Sequence, residues 1–496
     1  MGPGQSPGFA VLRLILAATL VRLGFAASLG LGVDESYMVA AGRVLSLGYF
    51  DHPPAAWWLS WAAGRVLGDT AFAVRLPFIA LFAGSTWLMF RLGAAAISER
   101  AGFWAAFALN LSPVLGVTTG TWVLPDGPLV CALLGAALCL THAMDSRGWR
   151  WWLGAGTCAG LALFSKYSAI LTIGGAFLFL LTCRQHRHWL ARPEPYVAVL
   201  MAFLIFSPVV IWNAQHGWAS FAFQGARAGA ARFRPFAPFA TLAGEALFIL
   251  PWIWAPMMVA AWLALCRGPA EWRGWLLCCL GAPPIVAFVL ISAWSPQRVL
   301  YHWAAPGYLM LFPLLGAMIV WLIDGGSRAI RPVLAGTAVL VVVLVTGLGT
   351  GVRFDWLHPI VEKFALKSDP TIEGIDWLSL RGELLERGLL HRPNTVIGAA
   401  NWRDAGKIGF ALGGDVTVIC LDRDARQFGI IDPASNHIGQ DVLVLLPTHA
   451  ERSAETLSTS FGSVDTLPSA TVRHAGRDIA HVAVRLGHRL RSFPGN

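Results

Sequence analysis

The feature that most constrains this chain is a series of apolar runs of bilayer-crossing length, separated by short loops that carry arginine. A helix rising 1.5 Å per residue needs ~20 mostly apolar residues to cross the ~30 Å hydrocarbon layer. Eleven segments fit: 9–31, 74–92, 102–120, 126–144, 150–164, 168–183, 196–212, 241–265, 274–293, 302–323 and 332–350. Only 13% of the 496 residues are charged and mean hydropathy is +0.59, whereas soluble domains carry about 25% charge. A set of soluble domains is excluded, and the chain reads as a polytopic membrane protein.

In such a chain the net charge of +9 is a topology signal. Arg91 and Arg100, Arg147 and Arg150, Arg184, Arg187 and Arg192, Arg267 and Arg273, and Arg328 and Arg331 fall in one alternating set of loops, which the positive-inside rule puts in the cytoplasm. The N-terminus is then cytoplasmic. The loop holding Asp34, the Leu124-Pro125-Asp126 turn, the stretch 213–240, the turn 295–301 and everything beyond 351 lie on the opposite face. The split at Ser165-Lys166-Tyr167 keeps this alternation. Arg13 and Arg22 lie inside the first apolar run with no cleavage site before Gly32, so it reads as an uncleaved helix. No basic-aromatic platform argues for nucleic acid. Seven of the eight cysteines sit in or beside apolar segments, without metal or disulfide spacing.

Beyond 351 the pattern becomes that of a small soluble α/β domain, 351–486, followed by a tail, 487–496. Helices are predicted at 375–389 and 402–412, and strands at 395–400, 416–420, 441–447 and 481–485.

The long polar interval between the first two spans, the first outer loop at 32–75, carries the candidate chemistry. Asp34 and Glu35 follow the first span, where partial desolvation can raise a carboxylate toward a useful base. A helix cap with dipole complementation explains the pair equally well. Tyr49-Phe50-Asp51-His52-Pro53-Pro54 is an extended turn, because each proline disfavours helix at the residue before it. The stretch 55–67, with Trp57, Trp58 and Trp61, reads as an interfacial amphipathic helix. Asp126 stands in a Pro-Asp-Gly-Pro turn, with capping as the alternative. Lys166 is a cation among apolar residues and needs an anion or a path to the surface. Arg298 and His302 reach the same outer face, as do Arg227, Arg232 and Arg234. Cations there break the positive-inside rule and suit an anionic ligand such as a lipid phosphate.

Together, Asp34-Glu35 after the first span, the Gly-Tyr-Phe-Asp-His-Pro-Pro stretch, Gly68-Asp69, Val74-Arg75-Leu76-Pro77, Leu124-Pro125-Asp126, Ser165-Lys166-Tyr167 and Trp212-Asn213 through Gly217-Trp218 resemble the bacterial GT-C fold glycosyltransferases. That group comprises the protein O-mannosyltransferase-like, lipid A aminoarabinose transferase and rhizobial galacturonosyltransferase enzymes. The likeness covers 9–350. It implies a mainly α GT-C bundle with interfacial helices in the first outer loop. The implied activity is transfer of a sugar from a polyprenyl-phosphate donor to an envelope acceptor (lipid A, polysaccharide, protein or lipid) at the periplasmic face of the inner membrane. By resemblance, Asp34 is the base, with Glu35 beside it and Asp126 the second acid near the reaction centre. Lys166 neutralises the donor phosphate, backed by Arg298 and His302. Tyr37, Asp51 and His52 are candidate substrate contacts. Some members hold a divalent metal cation near these acids, although this sequence has no metal-binding spacing of its own. The rival readings are a transporter or lipid flippase, and a non-catalytic glycan-binding member. Charges gathered on one face, and the lack of repeat-related halves, argue against a transport path.

Overall fold

A computed structural model describes residues 6–146, 148–227, 229, 232–296, 298–363, 370–447 and 459–491; the predicted loop cation Arg147 and residues 492–496 of the tail lie outside them. The chain forms two compact units. One, the helical unit, holds Met1–Leu23, His52–Ala56 and Leu76–Val345; the other holds Gly24–Asp51, Trp57–Arg75 and Thr346–Asn496. The first outer loop thus groups largely with the C-terminal region.

In the helical unit the apolar runs became helices. Among the described residues, seven are long and apolar enough to cross a membrane, or up to nine if each of two bent pairs is one span. Eleven were expected. The difference lies in short and broken segments. Trp149–Ser165 and Ala169–Thr182, with only 17 and 14 residues, separate nine from eleven; the predicted span 241–265 also breaks at Leu250 (φ 85°) into Ala237–Ile249 and Pro251–Arg267, the second of which keeps spanning length. Many spans keep apolar side chains outward: Val199, Leu200, Phe203 and Leu204 on Pro193–Gln215 are all more than half exposed. A helix that is apolar on its outer face suits lipid.

The predicted span 102–120 is a bent pair, Glu99–Leu111 and Pro113–Thr121, turning by 79°. Its cause is local. Pro113 lacks an N–H and holds Ser112 extended (ψ 120°), and a π-helix, Pro113–Thr118, follows. Arg22, buried in the first span, stabilises the break. It donates to the Gly116 carbonyl from Nε (3.0 Å) and Nη2 (2.7 Å), donates to Asn110 Oδ1 (3.0 Å) and lies over the Phe82 ring. Irregular backbone at membrane depth survives only when its polar groups are satisfied inside the protein.

In the other unit, five strands form a mixed sheet: β1 Thr395–Ala399, β2 Val418–Cys420, β3 Asp441–Pro447, β4 Phe461–His474 and β5 Arg477–Leu490, in the order β2-β1-β3-β5-β4. β1 pairs in parallel with β2 and β3, while β5 runs antiparallel to both β3 and β4. The helix Trp402–Leu412 and strand 441–447 fall where the periodicity puts them. β4 was not foreseen. Pro468 and its polar neighbours interrupt any apolar alternation, and the sheet accommodates them on an edge strand with a register shift between Leu467 and Ala470. β5 also runs through 487–490, which the sequence assigns to the tail.

Within this unit the helix Val33–Gly42 packs on Trp402–Leu412. The crossing depends on Gly406: a Cβ there would come within 2.7 Å of the Tyr37 Cα. The first outer loop is thereby held against the C-terminal fold.

Candidate active site

The first outer loop carries four carboxylates: Asp34, Glu35, Asp51 and Asp69. The structure sorts them by partner. The helix Val33–Gly42 starts at Gly32, whose N–H donates to Glu35 Oε2 at 3.0 Å. Capping therefore falls to Glu35. The same carboxylate takes a two-pronged contact from Arg75, Nε to Oε1 at 2.8 Å and Nη2 to Oε2 at 2.6 Å. Arg75 spends its remaining donors on the carbonyls of Ala26 (3.2 Å), Leu29 (2.7 Å) and Gly30 (2.7 Å). The pair is sealed, with side-chain exposures of 1% and 5%. Glu35, expected beside the base Asp34, instead anchors the end of the first helix through Arg75.

Asp51 and Tyr37, expected at the substrate, are likewise interior. The Tyr37 hydroxyl donates to Asp51 Oδ1 (2.9 Å) and accepts from the Gln427 N–H (3.1 Å), while its ring meets Trp57 and Trp402 edge-on. Arg426 donates to Asp51 Oδ2 at 3.0 Å. Burial pushes both the Asp51 carboxyl and the Tyr37 hydroxyl up; Arg426 opposes the Asp51 shift. These residues lock the loop to the C-terminal fold. Asp69 pairs with Arg43 at 2.8 Å.

Asp34 alone of the four has no hydrogen bond or ion pair among the described residues. Its side chain keeps an exposed face, while surrounding protein raises its carboxyl above the ordinary aspartate value. Arg426 and Arg403 oppose that rise, and Glu373 and Glu35 add to it. An accessible carboxylate with a raised proton affinity is what a general base requires.

In the helical unit, Asp126 opens the helix Asp126–Asp145 without capping it. Both of its oxygens instead accept from Lys166 Nζ at 2.9 Å, with side-chain exposures of 12% for Lys166 and 15% for Asp126. Lys166 reaches it because the helix Trp149–Ser165 ends there in extended backbone (φ −155°). His302 and His52 also act electrostatically on Asp126. The structure therefore joins Asp126, Lys166, His302 and His52. Arg298 is different: it is exposed and turned onto Tyr301, donating to the hydroxyl and lying 4.8 Å from the ring centre. Of the other cations predicted on the outer face, Arg234 donates to the Ser295 carbonyl and Arg227 lies over Phe223.

Sequence reasoning missed Arg426, Arg403 and Glu245. The two arginines are distant from the loop in sequence, and only folding brings them to it. Glu245 did leave a signal, a lone acid in an apolar helix; it is buried and accepts from the Tyr308 hydroxyl at 2.7 Å. A divalent cation does not fit the acids present. Glu35, Asp51 and Asp126 are each committed to a cation, arginines flank Asp34, and no group of three or more His, Cys, Asp or Glu among the described residues is placed to hold a metal.

Residues 51–212 match the family model for dolichyl-phosphate-mannose-protein mannosyltransferase. The fold matches ArnT from Cupriavidus metallidurans, in the structure bound to undecaprenyl phosphate, with a TM-score of 0.63 over 97% of this chain and 98% of that one at 16% identity. This chain has the GT-C glycosyltransferase fold. The apo ArnT structure matches this chain equally, with a TM-score of 0.63 at 15% identity over the same shares. A curated relative, the undecaprenyl phosphate-α-4-amino-4-deoxy-L-arabinose arabinosyl transferase 2 of Proteus mirabilis (strain HI4320), is 25% identical over 183 residues, 35% of this chain and 33% of the relative. The match thus spans about a third of that relative's length. With its apolar helices, this chain is an integral membrane protein.

Proposed function

We infer that this chain is an inner-membrane glycosyltransferase that moves a sugar from a polyprenyl-phosphate donor to a hydroxyl on an envelope acceptor, with its active site and C-terminal region in the periplasm. The carrying observation is Asp34: of the four carboxylates in the first outer loop, it alone is exposed, raised and without a hydrogen bond or ion pair among the described residues. The fold and the names of the matched relatives support a lipid-phosphate donor.

A neutral hydroxyl attacks an anomeric carbon poorly. In this reading Asp34 removes its proton as the new C–O bond forms. The bond from the anomeric carbon to the phosphate oxygen breaks, and the polyprenyl phosphate leaves with the electron pair. Lys166 offsets the charge gathering on that phosphate; His302 and His52 lie beside the same pair. One displacement inverts the anomeric configuration. Glu35 and Asp51 act by positioning, since each is held away from substrate by its arginine.

The test is transfer of radiolabelled sugar from polyprenyl-phosphate donors by the purified chain in proteoliposomes. Transfer by the wild type and a loss of about 10²–10⁴-fold by Asp34→Asn, in a protein that still inserts, is the expected result. Wild-type turnover in Asp34→Asn would remove Asp34 as base, and counter-flow of substrate without transfer would favour a transporter.

A further inference from the structure

We propose that Arg403 and Arg426, set against Trp402 in the C-terminal fold, bind an anionic group, carboxylate or phosphate, on the acceptor. The proposal rests on the glycosyl-transfer reading and deepens it by naming the acceptor's chemistry.

The geometry begins with Trp402, buried at the start of the helix Trp402–Leu412. The Arg426 guanidinium lies 3.7 Å from its ring centre and that of Arg403 5.4 Å. Tyr37 meets the same ring edge-on at 5.1 Å, and Tyr37 stands three residues after Asp34 on one helix, hence on a neighbouring face. Trp402 therefore connects both guanidiniums to the Asp34 end of that helix. Arg426 is firmly held. It donates to Asp51 at 3.0 Å, and its backbone occupies the left-handed region (φ 49°), a conformation kept only where surroundings impose it. Arg403 is the reverse, with an exposed side chain that makes no hydrogen bond or ion pair among the described residues.

Two cations act on Asp34, yet neither pairs with it. If their purpose were to neutralise Asp34, contact would be the cheaper arrangement, because a guanidinium fork fits a carboxylate in two parallel bonds. Standing off leaves the Arg403 fork available, and planar guanidinium suits carboxylate and phosphate oxygens alike. An acceptor whose anionic group lies near its reacting hydroxyl would be held by this fork, with the hydroxyl presented to Asp34. Without that anion the acceptor loses its anchor.

The test uses the full chain in proteoliposomes, a radiolabelled polyprenyl-phosphate donor and an envelope lipid extract as acceptor in three forms: untreated, phosphatase-treated and carboxylate-methylated. One treatment should raise the wild-type acceptor KM at least tenfold, and which one identifies the anion. On untreated extract, Arg403→Ala should raise the acceptor KM at least tenfold with the donor KM within twofold. Arg403→Lys should recover only part of the loss, and on the sensitive treated extract Arg403→Ala and wild type should converge. Unchanged acceptor KM after both treatments, or a wild-type acceptor KM in Arg403→Ala, would overturn the proposal while leaving transfer intact. Absence of any sugar transfer by the wild type would sink the functional reading and this site with it.

Discussion

Two ion pairs, one in each compact unit, join residues forty positions apart in sequence: Arg75 with Glu35, and Lys166 with Asp126. The first is saturated. All five Arg75 donors are used and both side chains are sealed. The second is more open, a single ammonium on one carboxylate, with side chains 12% and 15% exposed and two histidines nearby. An anion cannot enter the first without breaking several bonds at once. The second can share its cation with a phosphate. Number of bonds and remaining access, rather than charge type, separate an anchor from a site.

The sharpest break would come from Asp34, the loop carboxylate without a pair among the described residues. Asp34→Asn should lower transfer about 10²–10⁴-fold, the usual range for a general base, with insertion and thermal stability retained. A fall in stability matching the fall in rate would instead make Asp34 structural. Next, Arg75→Met should leave Glu35 buried without its cation, costing about 3–5 kcal/mol, and show as loss of folded protein in thermal unfolding. Lys166→Ala should raise the donor KM about 10- to 150-fold, the loss of ~1.5–3 kcal/mol from a charged hydrogen bond; unchanged donor dependence would take Lys166 out of the site. If both pairs lost stability alike and neither affected donor use, the distinction between them would fail.

A pH profile sharpens the contrast. The folded Asp34 carboxyl is raised, mainly because the surrounding protein strips water from it, and a base acts only when deprotonated. Transfer should therefore fall as pH drops through a value above the ~3.9 of an ordinary aspartate, and that limb should vanish from any residual activity of Asp34→Asn. The smallest effect is expected at Tyr308→Phe, which removes the single hydrogen bond to Glu245 and should cost about 1 kcal/mol in unfolding measurements.

Legibility varied by residue. The sequence places Asp34, Asp126 and Lys166 at helix ends because apolar run lengths and arginine loops fix where helices stop. It could not separate Asp34 from Glu35, since adjacent residues share every local signal. Arg75 stands in the loop-closing motif, but nothing in the motif says that it takes Glu35 rather than Asp34.

By itself, the sequence determined that the chain is polytopic, that its C-terminal region mixes helix and strand, and that the polar chemistry gathers between particular spans. Bilayer thickness and strand alternation impose those patterns locally. Only the tertiary structure decided which acids are spent and which remains available. Arg75 comes from 40 residues beyond Glu35, and Arg426 from 375 residues beyond Asp51. A carboxylate's role depends on the cations that reach it in space, and pattern along the chain does not encode that distance.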